Sequence, residues 1–239
     1  MKKAEFINRV LLIMNEVGSQ DTETIFASGA DSTQIDRYIE GAYVDAWRRC
    51  ISVMPKAWFE NKSFKNARII PNINDGIGMV VIPNDFYLLT SFKMQGWAKP
   101  IYNASVENER TSVVNTNEYT RGSWIRPCAT LKNEFIEDEN KVMQVLNYYS
   151  LPKGLSNHVI AEAIYVPVAV PLSDPKYNAT PAIDIGIDQR IYEPLAYLTA
   201  SSVFTILEKH NISKALEEKV VQMFPGFKSV KGNDTTIVQ

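Results

Sequence analysis

Few residues in this chain have the types and spacing that catalysis requires. Its 239 residues include two histidines and two cysteines. His158 begins an alternating run, and His210 is predicted to close a helix, where the helix C-terminus favours a cation. Cys50 ends a helical pattern and Cys128 follows a proline, so reduced, structural thiols are favoured over a disulfide. No spacing typical of a zinc site, a hydrolase nucleophile or a phosphate loop occurs.

Two short stretches offer weak signals for ligand binding. Gly76-Ile77-Gly78 lacks the third glycine and the strand-to-helix context of a dinucleotide site, so a turn is predicted there. Residues 134–140 are acidic, but they lack the Asp-x-Asp-x-Asp-Gly spacing of a calcium loop. A solvated hairpin tip explains them better. The sequence therefore predicts no metal, no cofactor and no enzymatic activity.

Composition and charge are those of an ordinary globular protein. Hydrophobic residues make up 45% and charged residues 22% of the chain, the formal net charge is −2 and the pI is about 5.8. This balance disfavours a DNA-binding protein, which requires a basic surface. The apolar run at residues 10–14 is far too short for a signal peptide or a membrane span. The sequence thus predicts a soluble protein made inside a cell, with no membrane association.

Aromatic residues are the most abundant material for binding. The chain has 11 tyrosines, 10 phenylalanines and 4 tryptophans. Because lysines and arginines are not interleaved with most of them, base stacking is disfavoured, and most should lie in the core or at protein contacts. A competing interpretation is that half of the interface candidates merely fill the core. The candidates, which lie near element ends or turns, are Trp58, Phe59, Trp97, Trp124, Tyr148 and Tyr149.

Helical periodicity marks the N-terminal end of the chain. Apolar residues at helical spacing predict an amphipathic helix over residues 3–17 that ends at Gly18. After a polar loop, Asp31 or Ser32 is predicted to cap a second helix. That helix should end near Met54, because the proline that follows disfavours the α conformation in the residue before it.

Between the helical ends, the spacing of apolar residues changes from the helical to the strand period. The corner Ile82-Pro83-Asn84-Asp85-Phe86 separates two apolar runs, because proline offers no amide to a ladder and Asn and Asp bond their own backbone in turns. Residues 137–140 are predicted to form a hairpin tip, and residues 105–114 a short helical or irregular piece. The predicted strands are residues 64–70, 79–82, 86–94, 98–102, 127–133, 141–149 and 159–166.

Helical periodicity returns near the C-terminus, after a stretch that contains four prolines. This stretch, residues 167–186, is predicted to be an extended connector with no regular element. The helix that follows should start at residues 190–193, which places Pro194 in its first turn, and should reach His210. Asn211 or Ser213 is predicted to cap a last helix, which Pro225-Gly226 ends.

These patterns together predict the fold class and the domains. Neither flanking helix pair can bury its apolar stripe alone, so the two pairs must pack together. The prediction is an α+β protein, in which N- and C-terminal helices form a core and a large antiparallel β insertion lies between them. The parts are a helical core over residues 1–58 and 187–224, the β-rich insertion and connector over 59–186, and a flexible C-terminal arm over 225–239.

The order of these features resembles a known family. The helix ending in Gly18, the helix ending in Pro55-Lys56-Ala57-Trp58-Phe59, the corner Ile82-Pro83-Asn84-Asp85-Phe86-Tyr87-Leu88 and the segment Ile191-Tyr192-Glu193-Pro194-Leu195-Ala196-Tyr197-Leu198 are similar, in that order, to features of the short-tailed-phage head–tail adaptors. These are the collar proteins of the tail tubular protein A type, and the ring proteins of crAss-like phages are similar to them. The β block is longer here than in that family, and the proline connector is additional.

The resemblance implies a structural virion protein of the phage neck or tail. Such proteins assemble as a ring, commonly twelvefold, that binds the portal, contacts other tail or ring proteins and continues the channel for DNA ejection. The resemblance implies that the helical core, residues 1–58 and 187–224, forms the body of the ring and that the β insertion faces outward or toward the next tail component. Genomic DNA passes through without sequence-specific binding, and the slightly acidic charge suits a channel that must not hold DNA. The C-terminal segment often reaches a neighbour or the portal, so Phe227, Lys228 and Val230 join the interface candidates.

Three other interpretations remain alongside the connector. The first is another virion role with the same contact logic, such as a tail hub or a minor head protein. The second is an enzyme with a pair of catalytic carboxylates, which the sequence gives no means to name. The third is a DNA-binding protein, which strong and salt-sensitive binding to duplex DNA would support.

Overall fold

The protein has an α+β fold, as the sequence predicts. A computed structural model describes residues 2–18, 32–107, 109–117, 119–155, 157–179 and 184–224. The chain divides into two compact units, a helical unit of Met1–Phe59 with Ala169–Gln239 and a β unit of Glu60–Val168. This division places residues 169–186 with the helices, whereas the sequence prediction grouped them with the strands.

Six α-helices and eight strands lie in the described ranges. The helices are α1 (Lys3–Gly18), α2 (Ser32–Val53), α3 (Arg110–Thr116), α4 (Pro175–Ala179), α5 (Gln189–Ile206) and α6 (His210–Met223). The strands are β1 (Lys62–Ser63), β2 (Ile69–Asn72), β3 (Ile77–Val81), β4 (Phe86–Met94), β5 (Ser105–Val106), β6 (Ala129–Ile136), β7 (Lys141–Tyr148) and β8 (Ile160–Pro167). The helices α1 and α2 lie where the sequence predicts them.

The helical unit is organised around α5, which packs against α1, α2 and α6. Phe6 of α1 is fully buried and lies between Tyr43 of α2 and Tyr192 of α5, with ring centroids 5.4 and 6.1 Å away. The Arg9 guanidinium donates two hydrogen bonds of 2.9 and 2.8 Å to the Glu193 carboxylate, which ties α1 to α5. The N- and C-terminal helices therefore share one core, because α5 supplies a surface that the first two helices cover.

The predicted start of α5, at residues 190–193, is one to four residues too late. Asp188 caps the helix, since its carboxylate accepts a 2.8 Å hydrogen bond from the Arg190 amide. The helix therefore begins at Gln189, and Pro194 lies beyond the first turn. Proline has no amide to donate to the carbonyl four residues earlier, so the helix accommodates one missing hydrogen bond in its interior.

The predicted boundary between the last two helices is also wrong. α5 ends at Ile206, and the chain reverses through Glu208, whose φ is 61°, a left-handed conformation. His210 then begins α6 instead of closing α5. Neither Asn211 nor Ser213 caps α6, because both lie inside the helix and Lys209 precedes its first residue. The Ser213 hydroxyl lies 2.9 Å from that of Ser201 and 2.8 Å from that of Thr205. These three hydroxyls join α5 and α6 through a polar contact inside the packed pair.

The proline connector contains a regular element, contrary to the prediction. Pro175 takes the first position of α4, where a missing amide costs nothing. Asp174 precedes it and accepts a 2.9 Å hydrogen bond from the Lys176 amide. Leu172 is fully buried, so the connector packs onto the unit that it enters.

The β unit consists of two sheets around one core. One sheet has the order β1-β8-β4 and the other the order β2-β3-β7-β6-β5, and only the pair β5–β6 is parallel. Both sheets contribute to one cluster of buried side chains, which includes Phe92 from β4, Tyr165 from β8, Val80 from β3 and Leu146 from β7. This antiparallel arrangement of two sheets accounts for the strand period of the sequence.

Two predicted strands are wrong. Residues 64–70 do not form one strand, because a turn closed by the 2.9 Å bond from the Ala67 amide to the Phe64 carbonyl separates β1 from β2. Residues 98–102 form only an isolated bridge between Ile101 and Phe92. The predicted irregular piece at residues 105–114 contains the short strand β5 and most of α3. β4 and the turn at Glu137–Glu139 lie where they were predicted.

Candidate interaction surfaces

The corner before β4 is held by one carboxylate. The Phe86 amide donates a 3.1 Å hydrogen bond to the Pro83 carbonyl, which closes the turn. The Asp85 carboxylate accepts hydrogen bonds from the Tyr165 hydroxyl at 2.7 Å and from the Lys62 ammonium at 2.8 Å. Its carbonyl oxygen accepts a 2.7 Å bond from the Val168 amide. Asp85 therefore joins all three strands of the smaller sheet, because Lys62 lies on β1 and Tyr165 on β8.

The electrostatics of this corner indicate a structural role. Burial by itself would raise the pKa of Asp85, but the hydrogen bonds from Lys62 and Tyr165 and the charge of Lys62 outweigh it and lower the pKa. Burial raises the pKa of the Tyr165 phenol, and the neighbouring carboxylate raises it further. The pair is thus an ionised acceptor and a neutral donor. Their hydrogen bond therefore holds the corner against β8.

Three further titratable groups, Cys50, Tyr148 and His158, have pKa values that burial shifts. Burial raises the pKa of the Cys50 thiol to about 12, which makes it a poor nucleophile. The Tyr148 hydroxyl lies 2.6 Å from Nδ1 of His158, and burial raises the pKa of Tyr148 and lowers that of His158. Across the described residues, no group of three or more His, Cys, Asp or Glu side chains could hold a metal ion.

An open groove of about 450 Å³ lies beside the corner, lined by residues 63–68 and 81–83. Its charged side chains are Lys65 and Arg68. Arg68 is already paired with Asp138 at 2.5 Å and with Glu139 at 3.1 Å. Because no carboxylate or histidine lines the groove, it offers no acid–base pair for general catalysis.

Four of the predicted interface residues are buried, which corrects the prediction for them. Phe59 is 4% exposed and packs edge-on against Trp47, with ring centroids 5.6 Å apart. Trp97, Tyr148 and Tyr149 are equally inaccessible within the β unit. Each is surrounded by apolar side chains of the same unit or engaged in its hydrogen bonds, so it stabilises the fold and offers no surface to a partner.

Two predicted interface residues do reach the surface. Trp58 is partly buried, with the Arg190 guanidinium 4.9 Å above its ring and the Phe224 ring centroid 5.8 Å away. Trp124 is 49% exposed, and its carbonyl accepts a 2.9 Å hydrogen bond from the Ala98 amide. The remaining candidates, Phe227, Lys228 and Val230, lie with the whole predicted arm outside the described residues.

Trp124 belongs to an exposed surface that the sequence prediction missed. The aromatic–basic loop is defined as residues 119–126, which display Tyr119, Trp124 and Ile125 together with Arg121 and Arg126. Tyr119 is 95% and Ile125 53% exposed. Arginines do alternate with aromatics in this segment, at Tyr-Thr-Arg and Trp-Ile-Arg. The prediction missed this local pattern because lysines and arginines do not lie next to most aromatics in the chain as a whole.

Hydrogen bonds and a close contact at Gly122 fix the backbone of the aromatic–basic loop. The Ser150 hydroxyl donates a hydrogen bond to the Gly122 carbonyl, and the Arg121 guanidinium donates one of 3.2 Å to the Asp75 carbonyl. A Cβ atom at Gly122 would lie 2.0 Å from the Arg126 carbonyl oxygen, so only glycine permits this close approach. The exposed aromatic side chains are therefore presented by an anchored backbone.

A second exposed surface lies at the hairpin between β6 and β7. The acidic hairpin tip is defined as residues 135–142, where Phe135 and Val142 face each other across the strands and are 54% and 65% exposed. The turn itself is Glu137-Asp138-Glu139, and Asn140 closes it with a left-handed φ of 49°. This tip presents apolar contact area next to carboxylates.

Comparisons with known proteins do not identify a family. No protein-family model and no curated protein sequence matches the chain. Among the residues that the structure describes, no helix combines the length and the apolar character needed to cross a lipid bilayer.

Proposed function

We propose that this chain is a structural virion protein that forms an oligomeric ring in the phage neck, where it connects the portal to the tail and continues the DNA channel. One observation carries the proposal. A β unit is inserted between helices from the two ends of the chain, and its longest strand, β4, starts at the Ile82–Leu88 corner on which the resemblance rests. Asp85 holds that corner through Tyr165 and Lys62.

The exposed surfaces support a protein that works by contact. Interfaces are enriched in Trp, Tyr and Arg, and the aromatic–basic loop presents all three residue types. The proposed partners are other copies of this chain in a twelvefold ring, the portal protein and other tail or ring proteins. Genomic DNA would pass through without sequence-specific binding, because a net charge of −2 gives it no general attraction.

The experiment that tests this proposal is quantitative mass spectrometry of purified virions. The copy number of this chain is compared with that of the portal protein. We expect a ratio near one or a small whole multiple, because neck rings match or multiply the portal symmetry. Absence from the particle would overturn the proposal. Cryo-EM that places the chain at the tail tip or inside the head would replace the connector with a tail hub or a minor head protein.

The C-terminal segment allows a second, independent test. A variant that ends at Phe224 keeps every described element of the helical unit, including α6. We expect it to fold with an unchanged melting temperature and to bind purified portal more weakly than the full-length chain. Equal portal binding by both proteins would exclude residues 225–239, including Phe227, Lys228 and Val230, from the interface.

A further inference from the structure

The two exposed surfaces of the β unit are complementary to each other. We propose that the aromatic–basic loop (residues 119–126) of one copy binds the acidic hairpin tip (residues 135–142) of a second copy. The inference rests on the proposed function in one respect, because it names the contact that would link neighbouring copies in a ring. The proposed partner is thus a second copy of this chain. The argument rests on the opposite charges of the two surfaces, on their exposed apolar side chains and on their positions at opposite ends of the β6–β7 ladder.

The loop carries positive charge that the protein leaves unpaired. In the described part of the chain, Arg121, Arg126 and the nearby Lys99 form no ion pair with a carboxylate. Asp75 contacts Arg121 only through its carbonyl oxygen, while its carboxylate accepts a 2.7 Å hydrogen bond from Asn72. The loop therefore offers a cationic surface with Trp124 at its centre, a composition typical of binding hot spots.

The hairpin tip carries the opposite charge in excess. Its turn has three consecutive carboxylates, at Glu137, Asp138 and Glu139. Two cations partly neutralise them, since Arg68 binds Asp138 and Glu139, and Lys141 binds Glu139 at 2.9 Å. Glu137 has no ion pair within the described residues. One uncompensated negative charge thus adjoins the exposed apolar side chains of the tip.

The exposed pair Phe135 and Val142 supplies the apolar part of this surface. On the same face of the hairpin, Ala129 and Leu146 belong to the buried core or pack against it. The polar and exposed pair Asn133 and Gln144 then separates this core from Phe135 and Val142 at the end of the same face. Phe135 and Val142 are themselves exposed to solvent. Together with the exposed Trp124 and Ile125, these side chains provide apolar area that two copies can remove from water.

The positions of the two surfaces exclude contact within one molecule. The loop precedes the first residue of β6, and the tip contains the last residues of β6 and the first residues of β7, so they lie at opposite ends of the β6–β7 ladder. This ladder joins Ala129–Ile136 to Lys141–Tyr148 and is about 25 Å long at about 3.4 Å per residue. Two different patches that bind each other form a heterologous contact, which propagates from copy to copy and closes into a ring when the rotation permits.

Charge reversal tests this contact in the intact protein. Sedimentation velocity is recorded over a range of protein and salt concentrations for the wild type, Arg126→Glu, Glu137→Lys and the control Lys214→Glu on α6. Lys214 is exposed and lies outside both surfaces. We expect concentration-dependent association of the wild type that weakens with salt, a loss of about tenfold or more in association for each reversal at the interface, and little change for the control.

A mixture of the two reversed proteins provides the decisive arm. The Glu137→Lys variant keeps an unchanged loop and the Arg126→Glu variant keeps an unchanged tip, so these two surfaces can bind each other, and association should return in the mixture although each variant alone is impaired. Trp124→Ala and Phe135→Ser should weaken association at every salt concentration, because they remove apolar contact. Specific recovery by mixing is not expected if the reversals merely disturb folding.

Several results would overturn the contact. A wild type that stays monomeric at low salt, reversals no weaker than the control, or a mixture without recovery would each do so. Salt-sensitive binding of a labelled oligonucleotide that requires Trp124 and Arg126, without self-association, would assign the loop to nucleic acid instead. Phages that carry Arg126→Glu distinguish this inference from the proposed function. A normal copy number of the variant in the virion would contradict the contact alone. Absence of the wild-type chain from virions would contradict the neck role alone.

Discussion

The helical unit and the β unit use their apolar side chains differently. In the helical unit, the exposed large hydrophobics are scattered, such as Leu12 on α1, Tyr38 on α2 and Met223 on α6. In the β unit, most of them gather between residues 102 and 125 and at the hairpin tip. Among the described residues, the exposed apolar side chains of the helical unit are therefore isolated, while those of the β unit are grouped. This difference is the reason why the proposed contact between copies is placed on the β unit.

The two units also differ in how their ionic contacts are placed. Several ion pairs of the helical unit connect separate helices, as Arg49 on α2 binds Glu217 on α6 at 2.7 Å. In the β unit, the Asp85 corner is bonded in the same way, but the cations of the aromatic–basic loop have no carboxylate partner among the described residues. The contacts that stabilise the fold and the surfaces of the proposed contact thus involve different residues, so substitutions can test each separately.

The largest loss of stability is expected at the aromatic centre of the helical unit. Phe6→Ala should lower the free energy of unfolding by about 3–5 kcal/mol, because it leaves a cavity between Tyr43 and Tyr192. Leu12→Ala is the matched control on the same helix, since Leu12 is 53% exposed, and should change stability by no more than about 0.5 kcal/mol. Urea denaturation followed by circular dichroism measures both. Equal effects would contradict the assigned packing of α1.

A smaller loss is expected at the corner of the β unit. Asp85→Ala removes the acceptor for both Tyr165 and Lys62, and should cost about 1–3 kcal/mol. Asn84→Ala is the control, because Asn84 is an exposed neighbour in the same turn. Urea denaturation followed by tryptophan fluorescence measures both. If both variants unfold at the same denaturant concentration, the carboxylate does not hold the corner.

The same carboxylate makes the β unit sensitive to acid. The pKa of Asp85 is lower in the folded protein than its ordinary value of 3.8. The folded state therefore binds the proton less readily, so the stabilisation is present above pH 3.8 and is lost as the pH falls through the folded pKa. We expect the stability difference between the wild type and Asp85→Asn to shrink between pH 5 and pH 2. A constant difference would show that the charge of Asp85 contributes nothing.

A weaker pH dependence is expected from His158. Burial lowers the pKa of His158, whose Nδ1 lies 2.6 Å from the Tyr148 hydroxyl and whose Nε2 is buried. The unfolded state binds this proton more readily, so stability falls as the pH drops through the ordinary value of 6.5 and levels off below the folded pKa. His158→Gln should flatten the denaturation midpoint between pH 7.5 and pH 5 relative to the control His210→Gln. Parallel profiles for the two variants would exclude this role.

The smallest effect on stability is expected at the binding surface. Trp124→Ala should change the free energy of unfolding by no more than about 0.5 kcal/mol, because half of the side chain is already in water. Trp97→Ala, at a tryptophan that is 3% exposed, should cost about 3–5 kcal/mol. Differential scanning calorimetry compares the two. A large loss at Trp124 would identify it as a core residue and weaken its assignment to an interface.

Much of the architecture was predictable from local sequence signals. The helices α1 and α2, the strand β4 and the turn at Glu137–Glu139 all lie where periodicity and turn residues placed them. The sequence also contains two correct helix-start signals, a proline at the first position of α4 and Asp188 at the cap of α5. The prediction missed α4 because four prolines were taken to exclude any helix. It placed the start of α5 too late because Pro194 was assigned to the first turn. Rules based on sequence neighbours were correct where one signal was present, as in the alternating pattern of β4. They failed where two signals disagreed, as at α4, where a helix start lies in a proline-rich stretch.

The interface was not predictable in the same way. The chain determines by itself that Trp97 and Trp124 are large, amphipathic side chains near turns, and that residues 134–140 are acidic. Only the tertiary structure decides that Trp97 packs edge-on against Phe92 while Trp124 faces solvent, and that the acidic turn and the arginines lie at opposite ends of one ladder. The physical reason is that burial depends on which distant residues cover a side chain, whereas periodicity and turn chemistry depend on neighbours in the sequence.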